Sequence, residues 1–159
     1  MNVYSIQAGN FKLDGGAMFG VVPKSLWQKT NPSDSANMID MSTRCMLIEN
    51  GNKLILVDTG MGNKQSEKFF SHYKRWGDFD LTKSINNAGF GLDDITDVLL
   101  THLHFDHCGG AVIWDEDKKT YDVQFKKANY WSNEDHWRWA SNPNPREKAS
   151  FLDENLLPI

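Results

Sequence analysis

The chain has 159 residues, 40% of them hydrophobic, and its 17 basic and 21 acidic side chains leave a net charge of −4. No block of like charge runs through it and no apolar run approaches the roughly 18 residues of a membrane span, so neither a nucleic acid nor a membrane is an expected partner. Residues 1–10 lack a charged segment followed by a long apolar one, and two cysteines, Cys45 and Cys108, make no disulfide framework, so a cytoplasmic protein is expected.

The predicted elements alternate strand and helix. Residues 3–6 read as a short strand and the glycine-rich 14–20 as loop. Strands over 43–49 and 53–58 are joined by Asn50-Gly51-Asn52, whose Asn and Gly tolerate the positive φ of a tight turn. Phe69, Phe70 and Tyr73 at helical spacing predict a helix over 64–76, and a second over 81–88 is stopped by Gly89. A strand over 97–101 follows. Beyond it, 115–119 is a solvated turn, 121–125 and 128–131 form a hairpin, and Ser132 with Asp135 caps a helix running to 140. Asn142-Pro143-Asn144-Pro145 breaks that helix, and another spans 146–155.

Immediately after Val98-Leu99-Leu100, the stretch Thr101-His102-Leu103-His104-Phe105-Asp106-His107-Cys108-Gly109-Gly110 packs three of the five histidines and a carboxylate into six positions. Imidazoles this close repel one another when protonated and gain little by packing, so a bound cation is the simplest reason for them. Side chains alternate along an extended segment, which puts His102, His104 and Asp106 on one side and turns His107 elsewhere. Two histidines then suit one divalent ion and the Asp106-His107 pair a second, at the roughly 3.5–4 Å spacing of two-metal hydrolytic sites. Neutral imidazole and carboxylate favour zinc, with iron or manganese admissible. Structural zinc sites are closed and cysteine-rich, whereas this set leaves positions open for water.

Other residues take plainer roles. Asp58, at the end of a buried strand, is expected behind the metal, orienting a ligand imidazole or the loop backbone. Cys108 is expected as a small packed side chain under the Gly109-Gly110 turn. His72 is expected in solvent, and His136, in an amphipathic helix, is not expected to be a ligand. Trp131, Trp137 and Trp139 are expected to supply core or interface area, and Met18 and Phe19 to line a pocket or plug it.

His102-x-His104-x-Asp106-His107 followed by Gly109-Gly110 resembles the signature of the metallo-β-lactamase superfamily of binuclear hydrolases. Leu54-Ile55-Leu56-Val57-Asp58-Thr59-Gly60 is similar to that superfamily's early strand, whose aspartate lies beside the metal loop. Asp14-Gly15-Gly16-Ala17-Met18-Phe19-Gly20, with Leu26-Trp27 and the approach from Asn87-Ala88-Gly89-Phe90 to Val98, resembles the branch that includes the N-acyl homoserine lactone lactonases.

The likeness runs from Met1 to about Trp114. It implies an α/β fold, the αββα sandwich, of which 1–159 would be one incomplete domain, the N-terminal half, because such sandwiches need about 200–250 residues. Full members add a later histidine, a bridging aspartate and a final histidine, none of which can be assigned here. The implied activity is hydrolysis of a small-molecule lactone or related ester by water activated at two divalent ions, with Asp106 as both ligand and catalytic proton carrier. A phosphodiesterase or thioester hydrolase of the same superfamily is the alternative among enzymes, and a truncated, non-catalytic metal-binding or interaction module the alternative outside them. A homodimer or a complementing C-terminal segment are the protein partners this leaves open.

Overall fold

In the computed structural model, which describes residues Met1–Ile159, the chain opens on two 13-residue strands, β1 (Asn2–Asp14) and β2 (Met38–Asn50), paired antiparallel. Both are longer than the sequence predicts. Polar residues interrupt the apolar alternation in each, but pairing to the neighbour carries the strands through, with a register shift between Gln7 and Asn10. Along β2 the burial alternates cleanly at Ile39, Thr43, Cys45 and Leu47, the mark of a strand with one face on a core.

The predicted loop over 14–20 is instead a helix, α1 (Gly15–Phe19), followed by α2 (Lys24–Trp27). Asp14 accepts the Ala17 N–H at 2.9 Å and so caps α1. Gly15 is required there, since a Cβ would lie 2.4 Å from the Trp27 indole. Phe19 stacks on Trp27 at 5.0 Å between ring centroids, while Met18 is exposed.

After the turn at Gly51 (φ 61), β3 (Lys53–Val57) pairs antiparallel with β2. The predicted helix over 64–76 shrinks to α3 (Glu67–Tyr73), because the Ser66 side chain caps Phe69 N–H and Lys74 turns left-handed at φ 40. Helix α4 (Leu81–Asn87), capped by Asp80, holds close to its predicted bounds. β4 (Asp97–Leu99) then pairs parallel to β3. Past a short helix, α5 (Phe105–Cys108), strands β5 (Val112–Trp114) and β6 (Tyr121–Val123) form a two-stranded sheet. The predicted hairpin between 121–125 and 128–131 is therefore overturned: β6 pairs with β5, whereas β7 (Asn129–Trp131) joins β4 in parallel. The main sheet has the order β1-β2-β3-β4-β7.

Asn133, not Ser132, caps α6 (Glu134–Ser141), its side chain accepting the His136 N–H at 3.1 Å. The predicted helix over 146–155 is a 3₁₀ turn at Lys148–Ser150 and a final turn, α7 (Asp153–Leu156), separated by Phe151 and Leu152 in extended conformation. Phe151 is pulled out of helical geometry to pack into the core.

That core joins the inner face of the main sheet (Ile6, Leu47, Leu56, Val98) to Ile85 of α4, Leu103 of the histidine loop, and Val112 and Phe125 of the second sheet. Each such side chain contributes roughly 1.5–3 kcal/mol by leaving water. Trp137 packs against it, whereas Trp131 and Trp139 are exposed and supply no core. No helix is long and apolar enough to cross a membrane.

Candidate metal centre

Two loops meet where the parallel strands β3 and β4 end. The first begins at Asp58, held at φ 60, with its backbone N–H bonded to Leu99 O at 2.9 Å. The second carries the histidine motif. Thr59 ties them together twice, since its backbone N–H and its hydroxyl both donate to His107 O, at 2.8 and 3.0 Å. Gly110 N–H donates to Gly60 O at 3.0 Å. The backbones touch so closely that a Cβ on Gly109 would stand 2.2 Å from Met61 O, and one on Gly110 2.2 Å from Thr59 O. The two Gly-containing motifs are thus halves of one interlock, and only residues without side chains permit it.

This interlock sets the ligand-type side chains. His102 lies in the segment between β4 and α5, His104 occupies the N-cap position of α5, and Asp106 and His107 lie within that helical turn. Strict alternation therefore stops at His104. His107 does not point elsewhere, as expected for an extended segment; the helical turn brings its ring to 3.8 Å from that of His102, with the His104 ring 4.6 Å from His102. His107 Nε2 lies 3.6 Å from Asp106 Oδ2. All four groups share one half-buried patch, although no three His, Cys, Asp or Glu side chains close around a common point as a ready cage.

Asp58 stands behind the patch. Its Oδ2 accepts from His107 Nδ1 at 2.8 Å, and its carboxylate takes the Thr101 backbone N–H at 2.9 Å and the Thr101 hydroxyl at 2.8 Å. A carboxylate only accepts, so His107 carries its proton on Nδ1 and turns Nε2 towards Asp106. Thr101 spends its hydroxyl proton on Asp58 and so offers a lone pair to His102 Nδ1, 3.3 Å away, leaving that ring's Nε2 free as well.

The electrostatics separate the three rings. Burial, reinforced by His107 and His104, pushes His102 down to about 4, so it is neutral at pH 7. Burial also lowers His104. Burial works downwards on His107 too, but its hydrogen bond to Asp58 and the charges of Asp106 and Asp58 outweigh it and raise the pKa. Asp58 is lowered: burial opposes this, and the bonds from His107 and Thr101 prevail. Neutral imidazoles at His102 and His104, with His107 and the Asp106 carboxylate beside them, are donor types a divalent cation takes, so the residues present fit such an ion by chemistry though their side chains do not close around one as they stand.

Cys108 is fully buried, its Sγ donating to Leu103 O at 3.3 Å, and burial raises its pKa to about 12. His72 is exposed. His136 has a role that sequence spacing does not reveal: its Nε2 accepts the buried Leu103 N–H at 2.9 Å, in the middle of the histidine loop. Phe151 packs on His104 at 4.8 Å, and the mid-chain Lys64 donates from a buried position to Gly109 O. These three are remote in sequence, and nothing short of the folded chain brings them to the loop.

Comparison with known proteins bears on the fold and the family. The chain superimposes on a probable metal-dependent hydrolase from Staphylococcus aureus with a TM-score of 0.88 and 34% identity, over 97% of this chain and 54% of that one. It shares the fold of AidC, a dizinc quorum-quenching lactonase (TM-score 0.69, 23% identity, 98% and 55%). It also shares that of an N-acyl homoserine lactone hydrolase with product at its catalytic metal centre (TM-score 0.66, 22% identity, 98% and 56%). The chain spans about half the length of these structures. Among curated proteins no match was found. The family model of the metallo-beta-lactamase superfamily matches residues 39–156, and with the mixed α/β fold and the histidine loop in place the chain belongs to that superfamily.

Proposed function

We propose that this chain carries the N-terminal part of the active site of a metal-dependent hydrolase whose substrate is a small-molecule lactone or related ester. The observation that carries the reading is the single network in which Asp58 fixes His107 directly and His102 through Thr101, beside His104 and Asp106. The lactonases among the solved relatives support the substrate class. His102 and His104 would hold one divalent ion, and Asp106 and His107 the other, with zinc the best match to the donors. Ions held there would supply acidification of a bound water and polarisation of the carbonyl under attack. Asp106 would take up the proton released by the attacking water and pass it to the leaving alkoxide, while Asp58 keeps both imidazoles in the ligating tautomer. We place the protein in the cytoplasm, consistent with two buried free thiols, and the chain as the N-terminal part of a longer domain completed by a C-terminal segment or a second copy.

The test is elemental analysis of the full-length protein purified without chelator, followed by a panel of acyl lactones, phosphodiesters and thioesters. Bound metal, lactone ring-opening and no phosphodiester cleavage are expected, with turnover abolished in the His102→Ala/His104→Ala double variant. A metal-free protein, or turnover unchanged in the double variant, overturns the reading.

A further inference from the structure

Lys64, between β3 and α3, is an interior cation, the residue being only 6% exposed. Its ammonium donates to Gly109 O, and its own carbonyl accepts from Trp114 Nε1 at 3.0 Å. The counter-charge is the Glu154 carboxylate of α7, which accepts in turn from Gln65 Nε2 at 3.1 Å. Burial lowers the Lys64 pKa to about 8, with Glu154 among the groups opposing the shift, so the group is largely charged at neutral pH. The other titratable neighbour, the Cys108 thiol, stays neutral because burial raises its pKa to about 12. An interior ammonium is costly even beside a carboxylate, and one spent on a backbone oxygen calls for a reason.

The reason lies in the group it holds. Gly109 C=O and Gly110 N–H belong to one planar peptide unit. The N–H donates to Gly60 O at 3.0 Å and the oxygen accepts from Lys64, so the unit is pinned at both ends. Gly109 N–H closes the turn of α5 on Phe105 O, which makes this peptide the end of the helical turn that carries Asp106 and His107. Carbonyls at a helix end have no partner within the helix. Two successive glycines are required here by the close backbones, yet they are also the pair with the greatest conformational freedom. A clamp from outside the loop removes that freedom, and Lys64 with Glu154 supplies it.

We propose that Lys64 is a positioning residue for the metal loop: through the Gly109 carbonyl it fixes the turn bearing Asp106 and His107, with Glu154 as its counter-charge. The inference rests on the reading of Asp106 and His107 as ligands, and deepens it by naming what holds them in place.

Two measurements on the full-length protein test it. The first, on metal-free protein, follows the ¹³C signal of the Gly109 carbonyl as the pH rises. In the wild type the signal steps with a midpoint near pH 8 as the donating ammonium becomes a neutral amine. Glu154→Gln moves the midpoint to lower pH, because the carboxylate's attraction favours the ammonium, and Lys64→Met removes the step. The second is zinc affinity by chelator competition at pH 7, where Lys64→Met binds about tenfold more weakly, as when a group supporting a ligand is lost. By charge alone, removal of a cation would tighten zinc binding, so the direction separates positioning from electrostatics. If Lys64→Met does not fold, the carbonyl titrations of the wild type and Glu154→Gln still decide whether Lys64 holds the turn. No step near pH 8, a midpoint unmoved in Glu154→Gln, or zinc affinity unchanged or raised in Lys64→Met overturns the proposal. A wild type that binds no zinc sinks the hydrolase reading instead, and the carbonyl titration stands apart from that result.

Discussion

Asp58 Oδ2 lies 2.8 Å from His107 Nδ1, although 49 positions separate the two residues in the chain. The same carboxylate holds the backbone and hydroxyl of Thr101, so one side chain at the end of β3 disciplines both ends of the histidine loop. The left-handed backbone at Asp58 is what aims it there, a conformation that Asp tolerates better than most residues.

Asp58→Asn keeps the volume but turns an acceptor-only group into one that presents an amide to His107. Supporting groups of this kind are worth about 10–100-fold in metal affinity, and a loss in that range is expected from chelator competition, with the far-ultraviolet circular dichroism unchanged. Affinity equal to that of the wild type would remove Asp58 from any part in metal retention.

His136→Ala strands the buried Leu103 N–H. Leaving such a donor unpaired costs about 1–3 kcal/mol, which urea unfolding reads as a lower midpoint at unchanged slope. Metal stoichiometry at saturation stays as in the wild type. A drop by one equivalent would instead make His136 a ligand.

Gly110→Ala places a carbon 2.2 Å from Thr59 O, a backbone atom that cannot step aside without breaking the Thr59–His107 bonds. Destabilisation of about 3 kcal/mol or more is expected, the upper end for overpacking. Gly91→Ala is the control, since its added carbon meets only Asp94 Oδ2, at 3.4 Å, and should cost far less. Similar losses in the two variants would mean that the loops part more easily than the contact implies.

Asp97, with 8% of its side chain exposed, accepts from Lys53 Nζ at 2.8 Å, Thr96 Oγ1 at 2.7 Å and Trp131 Nε1 at 2.9 Å. Lys53 first, then Thr96 and Trp131, hold its pKa down at about 2, below the ordinary 3.9 or so of a free aspartate. The folded state therefore binds its proton less readily than the unfolded chain. The stability this confers is complete above roughly pH 4, and it falls away as the pH drops through about 2. Asp97→Asn should narrow its gap to the wild type over that interval in unfolding measurements from pH 6 to pH 2. A gap independent of pH would show that Asp97 acts through its hydrogen bonds alone.

Local signals carried part of this molecule. The hairpin turn at Asn50-Gly51, strand β3 and helix α4 were legible because turn chemistry, a short apolar run and a helix-stopping Gly89 each act within a few residues. The full lengths of β1 and β2 were not, since polar residues in a paired strand are held by their neighbour and leave no apolar trace. The pairing of β7 with β4 in place of β6 was likewise invisible: parallel neighbours are chosen by crossover packing, not by adjacency in the chain.

At the candidate site the division is sharper. The residue types alone, three imidazoles and an acid in six positions with Gly-Gly behind them, determined the kind of chemistry on offer, because donor identity is a property of side chains. Where those donors point was decided by tertiary structure. A helical turn at Phe105 swings His107 onto His102, the carboxylate of Asp58 arrives from another strand, and Lys64 and His136 reach the loop from either side of it in the sequence. Direction and protonation depend on neighbours in space, and those neighbours exist only once the two loops have closed on each other.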